Sequence, residues 1–340
     1  MTRQLLFIGL IIGLLFSASL LNAQRFPAKQ GGKWGYINSS GQIVIPPKFD
    51  EAKKFSEGRA AVKIKDEWGY IDTTGNLIIQ AQFTNAEPFS NDIATVQTKN
   101  FVVGTETRFI RLNGDTLTSE TFTDAGTFSE GLAWIKIADR SKVILRQRFG
   151  FIDTTGKIVI QPVLEKASDF SEGFAAVQFN GKFGFIRRTD TLNDSVQTFT
   201  IAPKYRFASK FSEGLARVRT EALWGYIDQS GKLVIAEQFD AASDFSEGLA
   251  RVRKGEKFGF IDKSGNIVIP TVFDAAGDFS EGFAWVSKGG KYAFIDRTGK
   301  VAIDIGLTGV GSFQGGLALV SIGDKQVYID KAGNIIFEFN

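Results

Sequence analysis

A unit of about 34 residues recurs along the chain, and this period constrains the fold more than any other feature. Its clearest copy contains Trp-Gly-Tyr-Ile-Asp at residues 224–228 and Phe-Ser-Glu-Gly at residues 245–248. The next aromatic-Gly pair begins at Phe258, 13 residues after Phe245. A fixed period of this length predicts an array of similar units that pack on one another.

Cutting the chain after each Phe-Ser-Glu-Gly motif, and after its variants Phe-Ser-Asn-Asp (89–92) and Phe-Gln-Gly-Gly (313–316), gives eight full units and one shortened unit. Five full units have 34 residues, and the other three carry insertions near residues 99–106, 138–147 and 188–200. All three insertions fall where the regular units have a tight turn, so the framework is retained. Numbered 1 to 9, the units are 25–58, 59–92, 93–131, 132–173, 174–214, 215–248, 249–282, 283–316 and 317–340.

Unit 7 shows the predicted layout of one repeat. Residues 249–253 alternate apolar and polar side chains, which predicts a half-buried strand, and the Gly-Glu pair at 255–256 suits a hairpin loop. A second strand over 258–261 ends at Asp-Lys-Ser-Gly (262–265), a sequence that favours a type I turn with a left-handed Gly. A third strand follows over 266–269.

The fold class predicted from this layout is all-β, a tandem array of about nine three-stranded antiparallel β-meanders. The segment that returns to the next unit is an irregular strand, a helical turn or a packed loop. The array is either an open solenoid-like stack or a β-propeller-like ring. Nine units exceed the usual four to eight blades, and the first unit has no spare segment with which to complete the last. The sequence therefore favours the open stack.

Aromatic residues stand before a Gly in the second strand of most units. The Gly predicts close approach of another backbone or ring, because Gly otherwise weakens a strand interior. Trp and Phe exchange at the aromatic position, which favours packing between units over a specific contact to the indole N–H. A groove for a sugar or a peptide is the alternative. The residues are Trp34, Trp68, Phe149, Phe183, Trp224 and Phe258.

The first 23 residues are predicted to be a signal peptide. Arg3 precedes an apolar run over residues 5–15, and Ala23 supplies a small residue at the cleavage point. A membrane anchor is the alternative, because the uncharged run is just long enough to span. We expect a repeat domain over residues 24–340 with no membrane span, exported to the periplasm or the cell exterior.

Composition excludes several kinds of chemistry. The 340 residues include no Cys and no His, so disulfides, thiolate nucleophiles and the commonest metal ligand are absent. A net charge of +3 is too balanced to predict a nucleic-acid partner. No cofactor or metal is expected.

The motifs resemble the bacterial WG-containing repeat, also described through the related KWG repeat. Residues 33–37 read Lys-Trp-Gly-Tyr-Ile, residues 41–50 read Gly-Gln-Ile-Val-Ile-Pro-Pro-Lys-Phe-Asp, and residues 211–216 read Phe-Ser-Glu-Gly-Leu-Ala. The pattern covers the chain after the leader and departs locally, as at Thr107-Arg108 and Gln326-Val327. The resemblance implies a repeat scaffold and supplies no catalytic residue.

Acidic residues recur in step with the repeat. Such positions are typical of turns, where an Asp accepts backbone N–H groups and a Glu orients the bend before the next strand. Cation binding or acid catalysis is the alternative. The residues are Glu57, Glu130, Glu172, Glu213, Glu247 and Glu281 after Phe-Ser, and Asp72, Asp153, Asp228, Asp262, Asp296 and Asp330 after Ile.

Two groups of basic residues are the candidate interaction surface. One is a stripe on the first strands of units 6 and 7, and the other lies in the insertion of unit 4, where long loops carry function more often than scaffold does. These residues are Arg217, Arg219, Arg251 and Arg253, and Lys142, Arg146 and Arg148. The leading hypothesis is a secreted, non-enzymatic scaffold for a protein or cell-envelope component. The alternatives are a carbohydrate-binding module and, third, a hydrolase that uses carboxylates alone.

Overall fold

The computed structural model describes residues 24–100, 104–139, 146–193 and 195–340. Within these ranges every helix or strand of the chain is a β-strand, and all sheet pairing is antiparallel. The predicted all-β array of meanders is confirmed.

The strands occupy four positions of the repeat. The first strands are β1 (Phe26–Gln30), β5 (Ala60–Ile64), β9 (Ile93–Asn100), β12 (Leu132–Asp139), β16 (Ala175–Phe179), β20 (Leu215–Arg219), β24 (Ala250–Lys254), β28 (Phe283–Lys288) and β31 (Ala318–Ile322). The middle strands are β2 (Lys33–Ile37), β6 (Glu67–Ile71), β10 (Gly104–Arg111), β13 (Arg146–Asp153), β17 (Lys182–Ile186), β21 (Trp224–Asp228), β25 (Lys257–Ile261), β29 (Lys291–Asp296) and β32 (Lys325–Ile329). The third strands are β3 (Ile43–Phe49), β7 (Leu77–Phe83), β14 (Ile158–Leu164), β18 (Ile201–Tyr205), β22 (Leu233–Phe239), β26 (Ile267–Phe273), β30 (Val301–Val310) and β33 (Ile335–Glu338). The short strands are β4 (Glu51–Ala52), β8 (Asn85–Ala86), β11 (Asp124–Ala125), β15 (Lys166–Ala167), β19 (Phe207–Ala208), β23 (Ala241–Ala242) and β27 (Ala275–Ala276).

The return segment is a short strand followed by a loop. A regular sheet has the order short, first, middle, third, as in β19-β20-β21-β22. The short strand follows the third strand of one unit and pairs with the first strand of the next, as β23 does with β24. Between units 8 and 9 the third and short strands are continuous in β30, and one sheet of seven strands results.

The Gly of each aromatic-Gly pair lies under a bulge of the third strand. Trp224 pairs with Phe239 and Tyr226 with Ile235, so residues 236–238 all lie opposite Gly225. A Cβ atom on Gly225 would lie 2.5 Å from the Ile235 carbonyl oxygen. The predicted close approach of another backbone is confirmed, and it explains why Gly is favoured at this position.

The core lies between consecutive units rather than within them. Tyr226 of unit 6, for example, packs in one buried cluster with Val252 and Ile261 of unit 7. Equivalent clusters join every successive pair from units 1 and 2 to units 8 and 9. A single meander cannot bury both faces, so its stability depends on its neighbours.

A ninth cluster joins the last unit to the first. Phe26 and Tyr328 form an edge-on aromatic pair with centroids 5.8 Å apart. The Tyr328 hydroxyl donates to the Pro27 carbonyl at 3.1 Å, and the Gly31 N–H donates to Asn340 Oδ1 at 3.1 Å. The array is therefore a closed ring, and we call the junction of units 9 and 1 the seam.

Of the two arrangements that the sequence left open, the structure has the ring, so the preference for an open stack is wrong. The prediction rested on the usual number of blades and on the observation that propellers often close by completing one terminal blade with the other end of the chain. Here β1 pairs with β2, β33 pairs with β32, and neither pairs with the other end of the chain. Closure comes instead from side-chain packing in the cluster around Phe26, Leu317 and Tyr328.

Units 3 and 5, which carry insertions, differ from the regular units at the third strand. Within the described residues unit 3 has isolated bridges, such as Thr107 with Phe122, in place of that strand. In unit 5 the third strand begins at Ile201, the position that Ile235 holds in unit 6. Both units therefore lack the opening residues of a regular third strand.

Candidate functional site

The arginines of unit 6 lie over an aromatic ring rather than standing free in solvent. The guanidinium carbons of Arg217 and Arg219 lie 5.1 and 5.0 Å from the Trp224 ring centroid. Arg217 also pairs with Asp244 at 2.9 Å and donates to the Ala242 carbonyl. Its charge is thus balanced by the return segment that leads into unit 7.

The arginines of unit 7 repeat this arrangement more loosely. Arg251 pairs with Asp278 at 3.5 Å and donates to the Ala276 carbonyl. The guanidinium carbons of Arg251 and Arg253 lie 5.7 and 6.0 Å from the Phe258 centroid. The structure places the predicted stripe on two adjacent units as half-buried cation–aromatic layers.

The second group of basic residues does not join this stripe. Arg148 of unit 4 is half-buried and donates to the Val163 carbonyl at 3.4 Å. Arg146 begins β13, and Lys142 lies outside the described residues. Because units 4 and 6 are separated by unit 5, the two basic groups are separate features.

The aromatic series lies at the edges of the inter-unit cores. Trp68 is buried, and Trp34 and Trp224 are half-buried and pack against the clusters of their own units. The Lys53 amine lies 5.2 Å from the Trp68 centroid, an arrangement similar to that of Arg217 and Arg219 over Trp224. The rings therefore pack against the inter-unit cores, and several of them lie beneath a basic side chain.

The turn aspartates accept backbone hydrogen bonds, as predicted. Asp72 accepts the N–H groups of Thr74 and Asn76 at 2.9 and 3.0 Å. The Thr74 hydroxyl and these N–H groups lower the pKa of Asp72 to about 2, because they favour its charged form. Gly75 follows in the left-handed conformation with φ +88°. The pKa values of the equivalent aspartates are lowered too: Asp153, Asp228, Asp262, Asp296 and Asp330.

The six Phe-Ser-Glu-Gly motifs and two variants, Phe-Ser-Asn-Asp at 89–92 and Phe-Gln-Gly-Gly at 313–316, form tight hairpins that are linked around the ring. We call them hairpins 1 to 8: residues 55–58, 89–92, 128–131, 170–173, 211–214, 245–248, 279–282 and 313–316. The Ser hydroxyl of each hairpin from 1 to 7 donates to the Phe carbonyl of the next, as Ser212 does to Phe245 at 2.7 Å.

In the six hairpins that contain Glu, its carboxylate reaches forward as well. Glu213 accepts the Gly248 N–H at 3.0 Å, although its own φ of +53° is unfavourable for a residue with a Cβ. Glu281 accepts from both Gly315 and Gly316. We call these linked bonds the hairpin ladder. Sequence reasoning placed each Glu within its own bend and missed the forward link, for which the strict recurrence of Glu was the available signal.

A third contact supports several of these carboxylates. The Lys263 amine lies 3.1 Å from Glu213, and the Lys331 amine lies 3.1 Å from Glu281. Both lysines follow the turn aspartate of the second unit after the hairpin. Burial opposes the charged form of Glu281, but its N–H and ammonium partners outweigh burial and lower its pKa.

The hairpin ladder breaks at the seam. By register with unit 6, Phe26 holds the position of Ala216, so Gln24 holds the position of Gly214, the last residue of hairpin 5. Among the described residues no carboxylate accepts from the Gly58 N–H of hairpin 1. An open cavity of about 300 Å³ lies here, lined by Gln24, Arg25, Phe26, Lys54, Phe55, Ser56, Glu57, Gly58, Thr73, Gln314 and Gly315.

Exposed aliphatic side chains open the third strand in six consecutive units of the ring, from unit 6 through the seam to unit 2. Leu233, Ile267 and Ile335 are 48%, 50% and 55% exposed. Units 3 to 5, which carry the insertions, interrupt the series. We call this surface the aliphatic arc: Ile43, Val44, Ile78, Leu233, Val234, Ile267, Val268, Val301 and Ile335.

Clusters of metal ligands and membrane-spanning helices are both absent from the described residues. No group of three or more acidic residues is placed to hold a metal ion in the ranges that the structure covers. Across the same ranges no helix is long and apolar enough to cross a bilayer.

A closed array of antiparallel meanders with cores between units defines a β-propeller-like repeat protein. The chain belongs to the WG containing repeat family. The family model matches at residues 34–68, 68–100, 109–140, 149–183, 195–223, 224–258, 258–292 and 293–325. No curated protein matches the chain.

Solved structures resemble the fold at low identity. One, described as "Crystal structure of the eukaryotic initiation factor", has a TM-score of 0.63 and 14% identity, and the match covers 93% of this chain and 96% of that one. Another, "Dihydro-heme d1 dehydrogenase NirN in complex with DHE", has a TM-score of 0.45 and 13% identity, covering 94% of this chain and 73% of that one. The first similarity concerns the fold alone, and the second carries no argument about function.

Proposed function

We propose that the protein is an exported, non-enzymatic scaffold that binds a protein or cell-envelope partner through the aliphatic arc. The observation that carries this proposal is the repeated exposure of aliphatic side chains at the start of the third strand. Exposed apolar side chains that recur in neighbouring units in this way are candidates for an interaction surface.

In units 1 and 7 the arc is suited to side-chain contact rather than to strand addition. The third strand of unit 7 is the last strand of its sheet, so its outer edge is unpaired. Pro46 and Pro47 in β3 and Pro270 in β26 remove backbone donors from these two strands. There an incoming strand could not form a continuous ladder, whereas an apolar surface could cover the exposed side chains.

The turn acids and the WG aromatics contribute less to this proposal. The six aspartates accept N–H bonds in their own turns, and most of the hairpin glutamates accept bonds from the next hairpin. Carboxylates engaged in this way support structure. The half-buried aromatic rings lie beneath basic side chains in several units.

A triple variant of the arc and a double control variant test the proposal by their binding to a captured partner. The arc variant is Leu233→Lys, Ile267→Lys and Val301→Lys, and the matched control is Val196→Lys with Leu223→Lys, which changes exposed aliphatic residues outside the arc. We expect a partner captured from envelope extracts by residues 24–340 to be reduced at least tenfold by the arc variant and retained by the control. Equal capture by the arc variant, with both proteins folded, would reject the arc.

Export is tested separately. We expect the protein isolated from its host to begin at Gln24 and to fractionate outside the cytoplasm, because the leader has the features of a signal peptide. Recovery of a cytoplasmic chain that begins at Met1 would contradict this part of the proposal.

A further inference from the structure

The junction of units 5 and 6 differs from the other junctions in charge. Three residues meet where a short strand begins: the residue before it, its first residue, and the partner of that residue in the next first strand. At the junction of units 5 and 6 these are Arg206, Phe207 and Arg219. In the other junctions that have a short strand and a basic residue at these places, an acid accompanies the basic residue: Asp50 and Glu51 with Lys63, Asp124 with Lys136, Glu165 with Lys166, and Asp240 with Arg253.

The junction of units 1 and 2 shows how such a cation is neutralised. The Lys63 amine lies 2.8 Å from the carboxylate of Glu51, the residue that pairs with it across the two strands. This hydrogen bond raises the pKa of Lys63. Arg219 holds the place of Lys63 in unit 6, but the residue opposite it is Phe207. The strand that supplies a carboxylate to Lys63 therefore supplies an apolar ring to Arg219.

Two aromatic rings hold the Arg219 guanidinium in place. Its central carbon lies 4.2 Å from the Phe207 centroid and 5.0 Å from the Trp224 centroid. Its Nε is buried and has no hydrogen-bond partner among the described residues. An anion must therefore bond to the two terminal nitrogens. A planar fork that is already fixed by stacking loses little conformational freedom when it binds.

Nearby acids do not neutralise the two arginines of this junction. Glu237 accepts the N–H and the hydroxyl of Thr220 at 2.9 and 2.8 Å. Glu221, which follows in the same turn, is exposed. Within the part of the chain that the structure covers, neither Arg206 nor Arg219 forms an ion pair with a carboxylate. Two guanidinium groups thus leave an uncompensated positive charge, which attracts an anion.

We propose that the junction of units 5 and 6 binds an acidic side chain of a polypeptide partner, with its carboxylate on Arg219 and Arg206 beside it. A carboxylate has the planar pair of oxygens that matches the guanidinium fork. Arg219 already covers Phe207 and Trp224, so these rings support the guanidinium rather than offer a platform on which a sugar stacks. The site is distinct from the aliphatic arc and does not depend on it.

Titration calorimetry on the purified protein at low ionic strength tests the proposal with capped hexaglutamate as the probe. Phe207→Glu places a carboxylate opposite Arg219, as Glu51 lies opposite Lys63. We expect this variant to bind the probe at least tenfold more weakly, because an internal carboxylate competes at a high effective concentration. Phe207→Gln is the matched control, which removes the same ring without adding a charge and should bind the probe as the unaltered protein does.

Arginine variants locate the binding. Arg219→Met should weaken the probe about tenfold and Arg206→Met several-fold, because each removes a cation from the site. Arg251→Met makes the same change of charge in unit 7, but Arg251 is already paired with Asp278, so the affinity should not change.

Several outcomes would overturn the proposal. Equal binding by the Phe207→Glu and Phe207→Gln variants would do so, as would no binding of hexaglutamate or equally tight binding of capped hexaglutamine. Tighter binding of hexagalacturonate would assign the site to an acidic polysaccharide and reject a polypeptide. Inorganic phosphate that binds as tightly as hexaglutamate would show that the site takes any oxyanion, which also rejects a polypeptide partner.

Discussion

Hairpins 1 to 8 and the seam hold neighbouring units together by different means. Along the ladder, a Ser hydroxyl and an acidic or amide side chain of each hairpin bond the backbone of the next. At the seam these links are absent from the described residues, and Phe26, Tyr328 and Phe339 pack instead. The hydrogen-bonded ladder needs a hairpin in each of the two neighbouring units, whereas apolar packing closes the ring at the seam.

The largest expected effect concerns the Gly under the third-strand bulge. Gly225→Val should lower the free energy of unfolding by about 4 kcal/mol, because the new side chain meets backbone atoms that cannot rotate away. Unit 9 already has Val327 at this position, since β33 pairs there without a bulge. Val327→Ala should cost only about 1.5 kcal/mol, the loss of two buried methyl equivalents. Urea unfolding measures both, and equal losses would contradict the bulge explanation.

Opening the seam is the next largest effect. Tyr328→Ala should cost roughly 3 kcal/mol, because it removes a buried ring and its hydrogen bond to Pro27. Hydrogen exchange should then accelerate in β1 and β33 before it does in the middle units. Tyr226→Ala is the control within the array, and it should accelerate exchange in units 6 and 7 instead. Uniform acceleration in both variants would show that the ring opens as one unit.

Removing one link of the ladder should have a smaller effect. Glu213→Ala should cost about 1–2 kcal/mol, because the Gly248 N–H loses a charged acceptor. Gln314→Ala at the seam should cost under about 0.5 kcal/mol, as for an exposed surface position. Thermal unfolding compares the two variants. A similar loss at Gln314 would indicate that hairpin 8 stabilises the seam as the other hairpins stabilise their neighbours.

The smallest expected effect is pH dependence in the turns. The aspartates with lowered pKa stabilise the fold above the unfolded pKa near 4, and this stability is lost as pH falls toward about 2. Unit 1 has Asn38 in the same role, accepting the Ser40 and Gln42 N–H groups. Asp72→Asn should therefore reduce the acid sensitivity of unfolding with little change at pH 7. An unchanged slope of the free energy of unfolding against pH between pH 4 and 2 would show that Asp72 does not contribute to the acid sensitivity.

Local features were predictable because they repeat within one unit. The strands, the Asp turns and the tight approach at each Gly follow from side-chain alternation and turn chemistry that act over a few residues. The pairing of Arg217 with Asp244, which lies 27 residues further along the same unit, and the forward reach of Glu213 into the next unit were not predictable, because short-range alternation specifies neither contact. The aliphatic arc was also missed, since alternation in the third strand gave no sign that both Leu233 and Val234 are exposed.

The sequence by itself determined the repeat, its strand order and its family, because short-range patterning and fixed spacing specify a meander wherever they occur. The tertiary structure alone decided that the array closes and where the hairpin glutamates bond. These outcomes depend on the accumulated rotation between nine units and on side chains more than 300 residues apart, as in the bond from Gly31 to Asn340. A pattern that acts over a few residues does not predict a contact between residues so far apart in the sequence.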